Sequence, residues 1–101
     1  GNRVVPCNAT GTNVITLTPL DASPLLDKYN DYEIFIATAE NNSTGAVTAT
    51  VVPKTGTLAT LKVYKDDGST QAGNGDITAA RLYLFIYNDA LDSAAGGLVL
   101  K

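Results

Sequence analysis

Hydrophobic and polar residues alternate along most of this chain with a period of two. Such alternation is typical of β-strands that turn one face to a core and the other to solvent. We therefore predict an all-β fold with about seven short strands. The alternation is clear over residues 13–18, 32–39, 46–52, 58–64 and 81–87, and two shorter segments at 3–8 and 97–100 fit the same pattern.

The segment 81–87 is unusual because both of its faces are apolar: Leu82, Leu84 and Ile86 alternate with Tyr83, Phe85 and Tyr87. A strand of this kind is expected to be central in its sheet and covered on both sides. In the segment 32–39 the same alternation predicts that Glu33 points outward.

Turn-forming residues separate the predicted strands. Residues 41–45, Asn-Asn-Ser-Thr-Gly, lie between two alternating segments and are predicted to form a hairpin loop. Residues 53–56 predict another turn, and turn signals at 66–68 and 73–76 bracket a longer loop.

A helix is expected only within residues 19–30, where Pro24 limits it to one or two turns. Together these patterns predict one domain over residues 1–101. We expect an antiparallel β-sandwich-like domain of about seven short strands with at most one short helical turn.

The composition is that of a folded domain, since 45% of the residues are hydrophobic and 17% are charged. So low a charge content suits a domain whose flanks meet copies of itself or partners. The chain has no Met and begins with Gly1. We therefore expect it to be a fragment or module of a longer protein.

The charge pattern argues against two kinds of partner. The net charge is −3 and there is no basic run, so the cationic surface that binds nucleic-acid phosphates is missing. No apolar stretch approaches the roughly 18–20 residues that span a bilayer. We expect neither nucleic-acid binding nor membrane insertion.

The residues that usually carry catalysis are scarce. The chain contains no His, which removes the commonest general base and zinc ligand. Cys7 is the only Cys; it cannot form an intrachain disulfide or a thiolate metal site, and we expect it to be a buried small hydrophobe.

Carboxylate pairs remain as the other possible catalytic groups, because glycosidases use two of them across a cleft. All of the candidates except Glu33 fall in predicted turns, where Asp supports turn geometry. The Asp66–Asp67 turn lacks the alternating oxygen ligands of a calcium loop. We expect no enzymatic activity, no cofactor and no metal site. The candidate pairs are Asp31 with Glu33, Asp66 with Asp67, and Asp89 with Asp92.

Four segments combine strand and turn residues in a distinctive way: Thr-Asn-Val-Ile-Thr-Leu-Thr-Pro at 12–19, Asn-Ser-Thr-Gly-Ala-Val-Thr at 42–48, Gly-Asp-Ile at 75–77 and Tyr-Asn-Asp at 87–89. These segments resemble a β-module that recurs in tail-fibre, tailspike and other virion proteins of tailed bacteriophages. The resemblance extends over most of the chain. It departs from the family where Gly is often found and this chain has Asp31 or Ala80, and where residues 90–97 are longer than the usual tight turn.

The resemblance implies a structural module located in the virion, often a homotrimer, that contacts other virion proteins and a host-surface glycan or protein. Recognition residues usually lie on loops held by a rigid scaffold. The candidate interaction residues are Asn41, Asn42, Ser43 and Thr44 in one loop and Asp66, Asp67 and Asn74 in another.

Tyr64, Tyr83 and Tyr87 have two interpretations that the sequence leaves open. Aromatic residues in strands are most often core, but Tyr hydroxyls also favour an exposed or interface position. Two alternative functions also stay open: a capsid decoration or other virion-surface protein, and a carbohydrate-binding or glycan-cleaving module.

Overall fold

The computed structural model describes residues 3–21 and 26–101. It confirms an all-β fold with seven strands and one short helical turn. The helical turn lies at Leu91–Ala94 and not within residues 19–30, where we predicted it; residues 19–21 and 26–30 are not helical. Residues 22–25, in the middle of the segment where we predicted the helical turn, lie outside the described residues. The elements are β1 (Val4–Thr10), β2 (Val14–Pro19), β3 (Ile34–Thr38), β4 (Thr48–Val51), β5 (Leu61–Tyr64), β6 (Leu82–Asn88), α1 (Leu91–Ala94) and β7 (Gly97–Leu100).

The strands close into a barrel in the order β1-β2-β4-β5-β7-β6-β3, with β3 returning to β1. The pairs β1–β2, β4–β5, β3–β6 and β6–β7 are antiparallel, whereas β1–β3, β2–β4 and β5–β7 are parallel. The prediction of an antiparallel sandwich is therefore wrong on both counts, since the sheet is mixed and closed.

Small inward side chains give a physical reason for closure. A sandwich core is about 10 Å thick because large side chains from two sheets interdigitate. Here several inward positions hold only Cys7, Ala9, Ala37 and Ala49, all buried. Opposing strands can approach closely at such positions, and closing the sheet leaves no unpaired edge.

Phe35 and Phe85 fill the centre of the barrel. They are a directly paired cross-strand pair on the neighbouring strands β3 and β6, and their side chains are 0% and 1% exposed. Tyr29 packs edge-on against Phe35, with ring centroids 6.4 Å apart. Inward residues from the other strands complete the core, as expected for a barrel small enough to be filled by its own side chains.

Residues 41–45 do not form a hairpin loop, contrary to the sequence prediction. The flanking strands β3 and β4 pair with other strands and not with each other. The prediction that β6 is covered on both sides is also wrong. Leu82 is 60% exposed, because a barrel has one wall and the outer face of that wall has no second layer over it.

Glu33, predicted to point outward, is fully buried just before β3. Its carboxylate forms an ion pair with the guanidinium of Arg3. Beside this pair the Ile34 amide donates to the Arg3 carbonyl at 2.9 Å. The ion pair therefore lies where the parallel β1–β3 pairing that closes the barrel begins, and the Arg3 guanidinium offsets the charge of the buried carboxylate.

The strand directions determine at which end of the barrel each connection lies. Residues 11–13, 39–47 and 65–81 lie at the end where β1 finishes, which we call the loop end. The connections β4–β5 and β6–β7 lie at the opposite end, together with residues 20–21 and 26–33 between β2 and β3. That opposite end includes α1, in which Asp92 and Ser93 have left-handed backbone angles.

Candidate functional site

The loop end brings together the two loops that the sequence singled out as candidate interaction loops. The amide of Ser43 donates to the Ile77 carbonyl at 2.9 Å, and the amide of Gly75 donates to the Ser43 carbonyl at 2.9 Å. The loops therefore form one continuous surface, although they are more than twenty residues apart along the chain.

Ser43 connects these loops through its side chain as well. Its hydroxyl donates to the Gly73 carbonyl at 2.7 Å and accepts from the Ile77 amide at 3.0 Å. Ser43 is 2% exposed, so it is unavailable to a partner. The structure places it as the internal link between the loops rather than as a contact residue.

Asn13 anchors the first of the two loops, and sequence reasoning did not select it. Its Oδ1 accepts from the amides of Thr44 at 2.9 Å and Gly45 at 3.2 Å, and its Nδ2 donates to Thr44 Oγ1 at 3.0 Å. The tendency of Asn side chains to bond loop backbone was the available signal. Its partners lie about thirty residues away, so the sequence did not identify them.

Asn41 and Asn42 also hold the loop end together. Asn41 Nδ2 donates to the Gly11 carbonyl at 3.3 Å, and the amide of Ala79 donates to Asn42 Oδ1 at 2.8 Å. Asn42 remains exposed and its Nδ2 makes no hydrogen bond to another described residue, so Asn42 and the exposed Thr44 can still meet a partner. The result is a polar surface whose backbone is fixed by side chains.

Asp67 organises its own turn. Its Oδ1 accepts from the amides of Ser69 and Thr70, each at 2.9 Å, and its Oδ2 accepts from Thr70 Oγ1 at 2.7 Å. These hydrogen bonds lower the pKa of Asp67 from 3.8 to about 2. All the contacts stay within the turn, as expected for a turn-stabilising Asp rather than a calcium ligand.

Charged residues cluster beside this turn. Asp66 Oδ1 lies 2.6 Å from Lys101 Nζ, and Asp76 Oδ1 lies 3.8 Å from Lys65 Nζ. The four side chains line a shallow cavity of about 290 Å³ together with the exposed Arg81. The cavity carries both signs of charge, which favours hydrogen bonding to a neutral polar ligand over capture of an ion. Asn74 is exposed on the same loop.

The three tyrosines have different positions. Tyr83 belongs to the core; it is 8% exposed and its hydroxyl accepts from the Thr78 amide at 2.8 Å. Tyr64 pairs with the outward Val99 but is only 9% exposed, because its ring lies against Gly97, where an added Cβ would come within 2.9 Å of it. Both side chains are buried and offer little surface to a second molecule.

Tyr87 is half-buried and stacks on Tyr29, with ring centroids 5.1 Å apart. A Cβ added at Gly96 would come within 2.4 Å of the Tyr87 hydroxyl oxygen. The consecutive glycines Gly96 and Gly97 therefore accommodate the rings of Tyr87 and Tyr64. The close approach of these two rings explains why both positions are glycine.

The candidate catalytic groups are used structurally. Asp31 Oδ1 accepts from the Asp89 amide at 2.9 Å, and Asp92 pairs with Lys62 at 3.3 Å. Cys7 is buried, as predicted, and burial raises the pKa of its thiol to about 12. Within residues 3–21 and 26–101, no group of three or more Cys, Asp or Glu residues could hold a metal ion.

Comparison of the chain with protein families, with curated proteins and with solved structures finds no match. No helix in the described part of the chain is both long and apolar enough to cross a membrane.

Proposed function

We propose that this chain is a non-enzymatic structural and interaction module of a bacteriophage tail fibre or related virion protein. It contributes to fibre assembly, and its loop end contacts a host-surface glycan or protein. The observation that carries the proposal is the loop end itself. Two loops with recognition-type residues are held as one rigid polar surface at one end of a closed barrel.

Rigidity is what supports a binding role for such a surface. Loops that are already ordered lose little conformational entropy when a partner binds. Here Asn13, Asn42 and Ser43 fix the loop backbone from within. Thr44, Asp66 and Asn74 remain exposed beside them, so the surface can offer amide, hydroxyl and carboxylate groups in a constant arrangement.

Assembly into a homotrimer supplies the remaining part of the proposed mechanism. A single polar surface of this size binds weakly, but three linked copies raise the overall avidity without any new contact. The module would thus act through shape and multivalency, with virion proteins as its assembly partners and the virion as its location.

The mass of the particle in solution tests this function. Light scattering coupled to size-exclusion chromatography should give about three times the 10.5 kDa mass of one chain. A mass of one chain, even at high concentration, would contradict the assembly role. It would favour the alternative of a monomeric capsid-decoration or other virion-surface domain.

A further inference from the structure

The outer wall of the barrel is chemically divided. Its outward positions on β2 and β4 are rich in threonine, namely Thr16, Thr18, Thr48 and Thr50. Most outward positions on β3, β6, β7 and the first half of β1 are aliphatic instead; Thr38 at the end of β3 and Asn88 at the end of β6 are polar. Lys101, which exchanges two backbone hydrogen bonds with Leu84, borders this surface and is paired with Asp66. We call this second surface the aliphatic face, and it consists of Val4, Pro6, Ile34, Ile36, Leu82, Leu84, Ile86 and Val99.

The strand register makes the aliphatic face continuous. One row of directly paired residues crosses all four strands, and a second row crosses three of them. Directly paired side chains on one face lie about 5 Å apart, so neighbouring residues within each row are in contact. Scattered surface hydrophobics need no explanation, but a continuous patch does. The rows are Val4–Ile34–Ile86–Val99 and Pro6–Ile36–Leu84.

The aliphatic face is suited to meet a copy of itself because none of its eight residues is charged. The chain has a net charge of −3, so two copies repel when their charged surfaces approach. In a symmetric assembly the same patch recurs on every copy, and a like-charge contact would recur with it. An uncharged face avoids that cost.

The convex shape of the face favours three copies over two. If each barrel is treated as a cylinder, two parallel barrels touch along one line. In a bundle of three parallel barrels, each barrel touches its two neighbours along two lines that are about 60° apart around its own axis. Strands of a seven-stranded barrel are spaced about 50° apart around its axis. A face four strands wide therefore covers both contact lines of a trimer, and a dimer would leave much of it exposed.

The size of the face fits the apolar core of such an interface. Each of the eight residues covers about 4.8 Å between strands and about 6.7 Å along a strand, which gives the face an area of about 260 Å². That is about a third of the ~800 Å² per partner typical of a stable interface, and the bordering groove and a polar rim supply the rest. A groove of about 500 Å³ borders the face at Pro6, Ile36 and Leu82 and extends it to the exposed Leu20.

We propose that the aliphatic face is the surface through which three copies of this chain associate around a three-fold axis parallel to their barrels. This inference rests on the proposed function and names the surface by which its assembly occurs. With that axis all three loop ends point in the same direction. The loop end and the assembly surface are then separate parts of the molecule.

Lysine substitutions with a matched control test the surface. Leu82→Lys and Val4→Lys place a charge on the aliphatic face at residues that are 60% and 56% exposed. Val14→Lys places the same charge on β2, outside the face, at a residue that is 67% exposed. All three positions are exposed, so we expect each variant to fold. Leu82→Gln gives a second, uncharged variant of the face.

Light scattering distinguishes the outcomes. We expect the mass of three chains for the wild type and for Val14→Lys. Leu82→Lys and Val4→Lys should show a threefold lower mass. Leu82→Gln should dissociate on dilution at a higher concentration than the wild type does. If the wild type is a trimer and every variant stays a trimer, the aliphatic face is not the interface and the proposed function stands. Dissociation by Val14→Lys alone would place the interface on the threonine-rich side.

Two further results concern the wild type. A mass of two chains would overturn the three-fold arrangement. A single chain at every concentration would overturn both the assembly surface and the assembly role from which it follows. Each lysine makes the chain less negative, so dissociation confined to Leu82→Lys and Val4→Lys could not come from added repulsion between copies.

Discussion

Replacing Ser43 by alanine should uncouple the two loops of the loop end. The substitution removes the hydroxyl that bonds the Gly73 carbonyl and the Ile77 amide. The Gly73 carbonyl keeps a second donor, the Asp76 amide at 3.1 Å. Ile77 is 0% exposed, and its amide would be left without a partner among the described residues.

The expected loss of stability follows from the difference between the Gly73 carbonyl, which keeps a donor, and the Ile77 amide, which loses its acceptor. A buried donor left unsatisfied costs about 1–3 kcal/mol, and the loss of the other hydrogen bond adds about 1 kcal/mol. We therefore expect Ser43→Ala to lower the free energy of unfolding by about 2–4 kcal/mol. For a domain of this size the melting temperature should fall by roughly 10–25 °C.

Urea denaturation of Ser43→Ala beside Ser69→Ala provides the measurement. Ser69 is exposed, and only its backbone amide is bonded, to Asp67. Its replacement should change stability by less than about 0.5 kcal/mol. Amide exchange at Ile77 should also accelerate in Ser43→Ala. Equal stabilities for the two variants would refute the role assigned to the Ser43 hydroxyl.

Two other predictions concern pH and backbone conformation. Because folding lowers the pKa of Asp67 to about 2, its carboxylate stabilises the fold fully above pH 3.8, and this contribution disappears as the pH falls through 2. The stability difference between wild type and Asp67→Asn, measured by urea denaturation, should therefore shrink below pH 4; a constant difference would contradict it. Ala80 has a φ of 67°, so Ala80→Gly should stabilise by about 0.5–1 kcal/mol. Ala90→Gly, at a φ of −82°, should destabilise by a similar amount, and equal signs in thermal melts would disprove the strain at Ala80.

Alternation along the chain predicted where the strands lie, because alternation depends only on the local period of a strand. It failed for single side chains such as Glu33, which was predicted to point outward and is buried. It identified the strand of Phe35 and the strand of Phe85 without showing that they are neighbours. Partner choice between strands is a long-range property. Three parallel pairs, each needing a crossover through another strand, leave no local mark on the sequence, so the sandwich prediction was wrong.

In the candidate site, too, the sequence predicted local features but not which distant residues would meet. Turn-forming composition correctly marked residues 41–45 and 66–76 as loops, although the first is not a hairpin. Nothing local showed that Ser43 would be buried by residues 73–77 or that Glu33 would meet Arg3. Both side chains are buried and each is bonded to a partner far away along the chain.

Ala80 lies in a turn whose backbone is left-handed, a conformation that Gly adopts without steric cost. With Ala at this position the turn carries a local strain. The amide of Ala80 still donates to the Ala39 carbonyl at 2.8 Å, which holds the turn against β3.

The directions of the first and last strands determine how the barrel would respond to mechanical load. β1 begins at the end opposite the loop end, and β7 finishes at the loop end. Tension applied between Val4 and Leu100 therefore runs along these strands and across their hydrogen bonds, which lie perpendicular or slanted to them. Whole ladders would be sheared together instead of opening one bond after another, so the barrel would extend little before it yielded.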